Sequence, residues 1–284
     1  MRLAATPAAL AALAVLIWAL PLLLARPRGR GPGESWARLP AAHRGLSCEG
    51  APENSLGAFE RAAQAGLAIE LDVRACRDGL VVLHDGDTAR ALGLAGKVRD
   101  ARVSELQARP LMGTGERVPT LEQALARVAG RVPLVIELKG FRLRGTAKLA
   151  RDVAGALKGY AGEYCVESFN PLLLRACRRS LPDAPRGLLV ASPETMRRMC
   201  GIAAGWALSN LLLAPLARPQ FVAYEEGGRV SRGLAVWRGR GGACAVWTVR
   251  TAAGMERARA AGELAIFEGA EALEAALRLR GGRG

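Results

Sequence analysis

Residues 67–84 read LAIELDVRACRDGLVVLH, and this stretch carries the strongest structural signal in the chain. Two apolar runs typical of β-strands stand on either side of Asp78-Gly79, a dipeptide typical of tight hairpin turns. The two runs are therefore predicted to be neighbouring strands. Glu70 and Asp72 alternate with apolar residues in the first run, so both point to one face of it. Because a buried carboxylate is costly unless it is paired or bound to a metal, this pair indicates a site.

Short β-type runs alternate with helical patterns from Leu39 onward. The predicted strands are Pro40–His43, Leu67–Arg74, Leu80–His84, Val132–Lys139, Tyr164–Phe169, Gly187–Ala191, Leu208–Leu213, Ala243–Val249 and Leu264–Phe267. The predicted helices are Ser55–Ala65, Thr120–Ala129, Thr146–Leu157, Pro171–Ser180, Pro193–Ala204, Ala252–Ala261 and Glu271–Leu279. Ser55 and Thr120 suit N-cap positions. Pro171 and Pro193 suit first helical turns. The alternation predicts an α/β protein, either a parallel barrel or a doubly wound sheet.

The chain contains only two histidines, His43 and His84. Each ends a predicted strand and is followed at once by a charged residue, Arg44 or Asp85. Two structural histidines are the alternative, although placement for packing would put histidines on helices and in loops as well. Catalytic residues of α/β barrels gather at the carboxyl ends of strands. We therefore interpret both histidines as functional.

Glu137 and Lys139 repeat, in another apolar run, the two-residue spacing of Glu70 and Asp72. Three carboxylates, from Glu70, Asp72 and Glu137, meeting at a barrel mouth would suit a hard divalent cation such as Mg²⁺ or Ca²⁺. Lys139 beside them would suit a phosphate oxygen. The alternative is a buried glutamate–lysine ion pair, with the aspartate on an exposed edge strand.

A series of short motifs occurs in a fixed order before residue 140. The motifs are His43-Arg44-Gly45, Pro52-Glu53-Asn54, Glu70-x-Asp72-Val73, Asp78-Gly79, His84-Asp85, Val118-Pro119-Thr120-Leu121 and Ile136-Glu137-Leu138-Lys139. Together they resemble the glycerophosphodiester phosphodiesterase family. A fainter likeness continues through Glu167-Ser168-Phe169-Asn170-Pro171 and Trp247-Thr248-Val249. The resemblance thus extends from residue 41 to about residue 268.

The resemblance implies a TIM-type (β/α)8 barrel that holds a divalent cation, Mg²⁺ or Ca²⁺, at the carboxyl ends of its strands. The implied site residues are the metal ligands Glu70, Asp72 and Glu137, the acid/base pair His43 and His84, the phosphate-binding Arg44 and Lys139, and the supporting Glu53. The expected activity is metal-dependent hydrolysis of glycerophosphodiesters to glycerol 3-phosphate and an alcohol, in lipid metabolism. Hydrolysis of lysophospholipids in the manner of lysophospholipase D is one alternative. A non-catalytic barrel that binds lipid or a partner is another.

Three features depart from the family pattern. The loop from His43 to Glu53 is about one residue longer than usual. Arg250 follows Trp-Thr-Val, where asparagine is common, and Glu268 with Gly269 ends the last predicted strand in place of an Ile-Thr-Asp segment. None of the three lies in the core catalytic set. We expect them to affect only the headgroup side of the substrate and the closure of the last barrel turn.

The amino-terminal residues 3–25 are uncharged and mostly apolar. At about 1.5 Å per residue, a helix of this length reaches roughly the 30 Å of a membrane's hydrocarbon core. We predict a single transmembrane anchor over 1–26, a linker over 27–40 and the barrel over 41–284. The alternative is export after cleavage of a signal peptide, but no small-x-small cleavage site follows. The arginines just after the apolar stretch outweigh Arg2 and favour a cytoplasmic barrel.

The chain has a formal charge of +14 at pH 7, carried by 40 basic residues against 26 acidic ones. Nearly all of the basic residues are arginine, which is typical of a compositional bias. The sequence contains no run of five basic residues, no zinc-finger spacing and no interleaving of aromatic and basic residues. Nucleic acid is therefore not expected as a partner, and the positive charge leaves a phosphate-containing substrate or a membrane surface open.

Overall fold

The run that carries Glu70 and Asp72 forms one wall strand of a closed barrel. In the computed structural model, which describes residues 15–16, 19–27, 39–140, 145–228 and 230–281, nine strands form a single sheet. The strands are β1 Ala41–Ala42, β2 Ala68–Ala75, β3 Leu80–Val82, β4 Leu134–Leu138, β5 Tyr164–Ser168, β6 Arg186–Val190, β7 Phe221–Glu225, β8 Ala243–Val249 and β9 Leu264–Phe267. All of them except β3 are parallel, and β1 pairs with both β2 and β9. The result is an eight-stranded parallel barrel of the TIM type, as the resemblance implies.

Strand β3 is antiparallel and lies outside the barrel wall. It pairs residues 80–82 with residues 73–75 of β2, so the predicted hairpin is confirmed. The hairpin runs back toward the barrel mouth, where the Leu83 N–H donates to the carbonyl of Asp72 at 2.9 Å. His84 therefore reaches the mouth on a returning strand and not, as the other histidine does, at the end of a barrel strand.

In the described part of the chain, twelve α-helices follow β1 and surround the barrel. They are α1 Leu56–Gln64, α2 Ala89–Leu92, α3 Val103–Gln107, α4 Leu121–Val128, α5 Thr146–Ala156, α6 Pro171–Ser180, α7 Pro193–Cys200, α8 Ile202–Ser209, α9 Ala214–Ala217, α10 Arg232–Gly239, α11 Ala252–Ala260 and α12 Ala270–Gly281. The predicted caps are confirmed. Ser55 accepts from the Ala58 N–H, and Thr120 forms a capping box. Pro171 and Pro193 each occupy a first turn.

Two predicted elements between β6 and β7 are wrong. The predicted strand Leu208–Leu213 is the end of α8 followed by a turn, in which Leu211 has a φ of 59°. This left-handed conformation excludes a strand. Leu211 is fully buried, whereas Leu213 at the end of the run is 38% exposed. The strand of this region is instead β7. The predicted helix Pro193–Ala204 is two helices, because Gly201, with a φ of 85°, separates α7 from α8.

The predicted anchor and linker lie largely outside the described residues. Residues 19–24 are helical, and Ala25 after them is buried against the barrel. Its carbonyl accepts a hydrogen bond from Arg240 Nη1 at 3.1 Å. Within the described ranges, no helix has both the length and the apolar character needed to cross a membrane.

The barrel interior changes from apolar to acidic along the strands. One apolar layer contains Ala68, Val135 and Cys165, from three neighbouring strands. Since side chains of one face recur every second residue, the next inward positions are those of three buried carboxylates. These carboxylates belong to Glu70, Glu137 and Glu167. The fold therefore places its acidic layer at the carboxyl ends of the strands, on top of a closed apolar core.

The loop from β1 to α1 depends on Gly45. This residue has a φ of +81°, and a Cβ there would lie 2.9 Å from the carbonyl carbon of Ala58. Arg44 beside it also has a positive φ, of 57°, and its carbonyl accepts from the Asn54 N–H at 2.9 Å. The close approach of this loop to α1 therefore orients Arg44.

We expect Gly45→Ala to lower the free energy of unfolding by about 1–3 kcal/mol, because the added methyl combines a clash with a strained φ. Chemical denaturation would measure the loss. Gly50→Ala is the matched control, since Gly50 has a φ of +79° but no atom lies within 4 Å of the place that its methyl would take. Equal losses in the two variants would show that the contact with α1 contributes nothing.

Candidate active site

Three carboxylates meet at the mouth of the barrel. One oxygen from each of Glu70, Asp72 and Glu137 lies within 4.8 Å of the others. Glu70 and Asp72 share a face of β2, and Asp72 stands opposite Glu137 in the parallel register of β2 and β4. All three side chains are buried. The structure thus brings the predicted metal ligands to one point.

A fourth buried carboxylate, Glu167, joins this cluster. It stands opposite Glu137 in the register of β4 and β5 and lines the same cleft. Its Oε2 has no hydrogen-bond partner within the described part of the chain. A sequence signal for this residue exists, because Glu167 ends an apolar run in the same way as Glu137. Without the register of β4 and β5, however, that signal does not connect Glu167 with the other carboxylates.

The charge of the cluster favours a bound cation. Burial, followed by repulsion from Asp72 and Glu137, raises the pKa of Glu70 well above its usual range. Burial likewise raises the pKa of Glu137 to about 7. Two cations contact members of the cluster: Lys139 pairs with Asp72 and Glu137, and Arg44 pairs with Asp72. With all four carboxylates ionised, these two cations leave two negative charges uncompensated. A divalent ion would compensate them, and carboxylate oxygens are the ligands that Mg²⁺ and Ca²⁺ prefer.

Lys139 lies inside the carboxylate cluster. Its Nζ is 2.7 Å from Glu137 Oε2 and 2.9 Å from Asp72 Oδ1. Burial opposes the charged form, but the attraction of Asp72 and Glu137 prevails and raises the pKa of Lys139 to about 12. Despite burial, the pKa of Asp72 lies below its usual range because of Lys139, His84 and Arg44. The buried ion pair considered for this lysine is therefore present, and it is part of the cluster.

Arg44 connects the cluster to Glu53. Its Nη1 donates to both Glu53 oxygens, at 2.9 and 3.0 Å, and its Nε lies 3.3 Å from Asp72 Oδ2. The Arg44 backbone N–H donates to Glu70 at 2.9 Å. Asn54, which no sequence argument assigned, donates to Asp72 Oδ2 at 2.7 Å and accepts from the Asp72 N–H. The β1–α1 loop thus holds both carboxylates of β2.

His43 is held by one of the residues that depart from the family pattern. Its Nδ1 lies 2.7 Å from Glu268 Oε2, and its Nε2 lies 3.9 Å from Glu70. Arg250 Nε donates to the other Glu268 oxygen at 2.7 Å. The hydrogen bond from His43, with support from Arg250, lowers the pKa of Glu268 to about 2. The expectation that these departures stay clear of the catalytic set is wrong, because β9 ends beside β1 and β8 ends beside β9, which brings Glu268 and Arg250 to His43.

His84 has an equivalent arrangement. Its Nδ1 lies 2.8 Å from Asp85 Oδ1, and Arg90 Nε donates to the other oxygen of Asp85. Arg90 also donates to Glu53, so this chain of contacts reaches Arg44. Burial, together with Lys139 and Arg44, lowers the pKa of His84. In each histidine a carboxylate holds Nδ1, which leaves Nε2 to face the cleft.

The structure therefore brings together all eight predicted site residues and adds several that sequence reasoning missed. The added residues are Asn54, Asp85, Arg90, Glu167, Arg250 and Glu268. Asp85 and Glu167 belong to motifs that resemble the family, but the sequence assigns them no role. Arg90 has no sequence signal, since it reaches the site from α2 only through the folded loop.

These groups open into a cleft of about 600 Å³. One side of the cleft is formed by the histidines, the arginines and the carboxylate cluster. The other side is apolar and includes Phe169, Leu189, Met199 and Trp247. The rings of Phe169 and Trp247 pack edge to face, with centroids 5.8 Å apart. The cleft can therefore hold a ligand with a charged end and a less polar end.

A closed parallel barrel with buried carboxylates, a lysine and two oriented histidines at its mouth defines a TIM-barrel enzyme with a carboxylate cluster suited to a metal ion. Residues 43–268 match the model of the glycerophosphoryl diester phosphodiesterase family. The chain belongs to this family. The match starts at His43 and ends at Glu268, the two residues that pair across the mouth.

Curated relatives are similar over part of their length. A Mycobacterium tuberculosis protein named "Probable glycerophosphodiester phosphodiesterase 2" is 45% identical over 95 residues, which cover 31% of this chain and 34% of that protein. Bacillus subtilis YhdW is 43% identical over 157 residues, covering 52% of this chain and 64% of YhdW. The matched stretches thus span about one third and just under two thirds of these relatives.

Solved structures share the fold over most of the chain. A Parabacteroides distasonis glycerophosphodiester phosphodiesterase is 25% identical, with a TM-score of 0.66, and the match covers 90% of this chain and 100% of that one. An Oleispira antarctica phosphodiesterase in complex with the product sn-glycerol-3-phosphate is 20% identical, with a TM-score of 0.68, covering 86% and 95%. At 20% identity, the similarity to the Oleispira antarctica structure shows only that the fold is shared.

We expect Glu268→Ala to change the ring tautomer of His43. Without its carboxylate partner, the neutral imidazole should lose its preference for a proton on Nδ1, and the population with Nε2–H should rise. Because the chain has two histidines, ring ¹⁵N spectra at about pH 8 contain two spin systems and are simple to assign. Glu60→Ala is the control, since Glu60 pairs with Arg131 at 2.7 Å on the outer surface. An unchanged His43 spectrum would contradict the expectation.

We expect the melting temperature of the chelator-treated protein to fall as the pH rises from about 5 to 8. Glu137 has its pKa raised from 4.5 to about 7, so its contribution to stability is complete below 4.5 and disappears as the pH passes 7. Glu137→Gln should show a smaller fall, because an amide does not titrate. The pKa of His84 is lowered from 6.5, so this histidine makes stability rise with pH below 6.5. Both proteins contain His84, so its contribution does not affect the comparison between them. Equal falls would refute the assignment to Glu137.

Proposed function

We propose that the barrel hydrolyses glycerophosphodiesters to glycerol 3-phosphate and an alcohol, with a divalent cation held by Glu70, Asp72 and Glu137. The observation that carries this proposal is the carboxylate cluster placed between two histidines whose Nδ1 atoms are already occupied. The membership in the family supports the same activity. The set of intact site residues argues against a non-catalytic barrel.

The positive groups of the site bind the phosphodiester. The substrate carries one negative charge, which repels an incoming nucleophile. The bound cation would neutralise that charge and stabilise the negative charge that develops in the transition state. Lys139 and Arg44 lie against the cluster and contribute fixed positive charge from the protein itself. Glu53 keeps the Arg44 guanidinium in place.

The two histidines move the protons. Burial, with Lys139 and Arg44, lowers the pKa of His84, so its imidazole is neutral at neutral pH and can accept a proton. We assign His84 the role of accepting the proton from the attacking hydroxyl group. His43 then protonates the leaving alkoxide through Nε2, while the ionised Glu268 holds its Nδ1. Each histidine thus has a carboxylate and an arginine behind it, which keeps the ring oriented through the reaction.

The apolar side of the cleft favours a second candidate substrate. Leu189 and Met199 would contact an acyl chain better than a free alcohol headgroup. Lysophospholipids, cleaved at the same phosphodiester, are therefore the alternative substrates. A panel of glycerophosphodiesters and lysophospholipids, assayed with the full chain, separates the two by kcat/KM.

We also propose that residues 1–26 anchor the chain in a membrane as a single span, with residues 27–40 as linker and the barrel of 41–284 in the cytoplasm. The uncharged sequence of 3–25 and the arginines after it support this arrangement. Mass spectrometry of the mature protein distinguishes it from export after cleavage. If the mature protein in the membrane fraction contains no peptides from residues 1–26, the anchor is contradicted.

Chelation should abolish turnover of glycerophosphocholine by the full chain, and added Mg²⁺ or Ca²⁺ should restore it. His43→Ala and His84→Ala should each lower kcat by about 10²–10⁴-fold, the usual contribution of acid–base catalysis. Glu70→Ala should weaken the affinity for the cation, measured by calorimetry. Circular dichroism checks that each variant is folded. Near-normal kcat in either histidine variant would exclude the assigned roles.

A further inference from the structure

The helices that follow β6 form a hairpin with an unusual surface. We refer to α7, Pro193–Cys200, and α8, Ile202–Ser209, as the mouth hairpin. Residues 197–204 are all exposed, and no charged residue occurs between Arg198 and Arg218. The exposed residues 199–204 thus carry no charge, although charged residues are common on protein surfaces.

Helix α8 is apolar on nearly every side, although only two of its residues are buried. The residues it buries are Gly205 and Ser209, the small and the polar ones. A Cβ on Gly205 would lie 2.7 Å from the backbone N of Arg197, so α8 packs backbone to backbone on α7. The large apolar residues point outward, with Ile202 75% exposed and Trp206 37% exposed. A helix that faces water shows the opposite distribution.

The hairpin borders the active-site cleft. Met199, 46% exposed, lines the cleft and connects the outer apolar surface with its inner apolar wall at Leu189. An apolar surface that continues from the outside of the protein into the cleft is placed to receive lipid-like ligands that leave a membrane. The barrel order puts β6, which precedes the hairpin, on the opposite side of the mouth from β1.

The hairpin carries a net positive charge, from two exposed arginines and one exposed carboxylate, that of Glu194 in the first turn of α7. Arg197 and Arg198 are exposed beside the apolar residues, and neither pairs with a carboxylate in the described part of the chain. Apolar side chains with a tryptophan, flanked by arginines, are the composition of surfaces that lie in the interface of membranes. The buried Ala25 belongs to one apolar cluster with Leu211 and Ala214, so the amino-terminal segment joins the barrel just beyond α8.

We propose that the mouth hairpin inserts into the headgroup region of an anionic lipid bilayer and holds the cleft against the membrane. Ile202 and Trp206 enter the apolar boundary, while Arg197 and Arg198 contact lipid phosphates. The test of this contact does not depend on the catalytic proposal, because it is measured without turnover.

The native cysteines allow a direct test. Cys48 and Cys200 are exposed and Cys76 is partly so, whereas Cys165, Cys177 and Cys244 are buried. One variant, Cys48→Ser with Cys76→Ser, carries an environment-sensitive dye on Cys200. The reciprocal variant, Cys200→Ser with Cys76→Ser, carries the dye on Cys48, across the mouth. Both full chains are reconstituted in phosphatidylcholine vesicles, with or without phosphatidylglycerol, that contain lipids brominated on the acyl chain.

The dye on Cys200 should be quenched several-fold more than the dye on Cys48, and more strongly when phosphatidylglycerol is present. Ile202→Asp should reduce the quenching at Cys200. Leu277→Asp, at a residue 41% exposed on α12, should not. Ile202→Ser provides a milder variant if the aspartate disturbs folding.

Equal quenching at the two positions, or quenching that Ile202→Asp leaves unchanged, would overturn the proposal. So would a dye already in an apolar environment without lipid, which would mean that a second copy or the amino-terminal segment covers the hairpin. Hydrolysis of soluble glycerophosphocholine should be the same in Ile202→Asp as in the unmodified chain. If the unmodified chain hydrolyses none, the proposed activity fails, whereas the quenching result still decides the membrane contact.

Discussion

The burial of four carboxylates side by side at the barrel mouth is the constraint on which the rest of the site depends. Burial and mutual repulsion raise the pKa of Glu70 and Glu137, so the cluster is unfavourable in its ionised form unless positive charge is supplied. Lys139 supplies part of it from inside the cluster, and Arg44 supplies part from the β1–α1 loop. The remaining deficit suits a divalent cation. Arrangements that would be costly in a structural core are thus consistent with a site that binds metal and phosphate.

The same constraint explains why the histidines need carboxylates of their own. The acidic cluster and its cations create strong local fields, in which an unsupported imidazole could turn either nitrogen toward the cleft. Glu268 and Asp85 each hold an Nδ1, and Arg250 and Arg90 keep those carboxylates ionised and oriented. The support comes from distant parts of the chain: Glu268 is 225 residues from His43. Closure of the barrel between β1 and β9 is therefore a requirement of the proposed catalysis as well as of stability.

Local signals predicted the elements that local interactions determine. Ser55 and Thr120 cap helices because their side chains bond within three residues, and the β2–β3 hairpin follows from its short turn. Local signals were misleading between β6 and β7, where an apolar run indicated a strand over Leu208–Leu213. Leu211 of that run is buried in a cluster formed by helices and strands, and the adjoining α8 exposes its apolar residues. Apolar residues predict burial in the core only when the rest of the surface faces water. The exposed apolar residues of α8 break this rule, as expected for the membrane contact that we propose.

The sequence by itself determined the alternation of strands and helices, the two carboxylates on one face of β2 and the pair of histidines at strand ends, because these depend on spacings of a few residues. It also identified the family through the order of its motifs. Only the tertiary structure decided that Glu167 joins the cluster, that Arg90 reaches Glu53, and that Glu268 holds His43. These contacts arise from barrel register and closure, which bring residues far apart in the chain within hydrogen-bond distance. No spacing along a single strand contains that information.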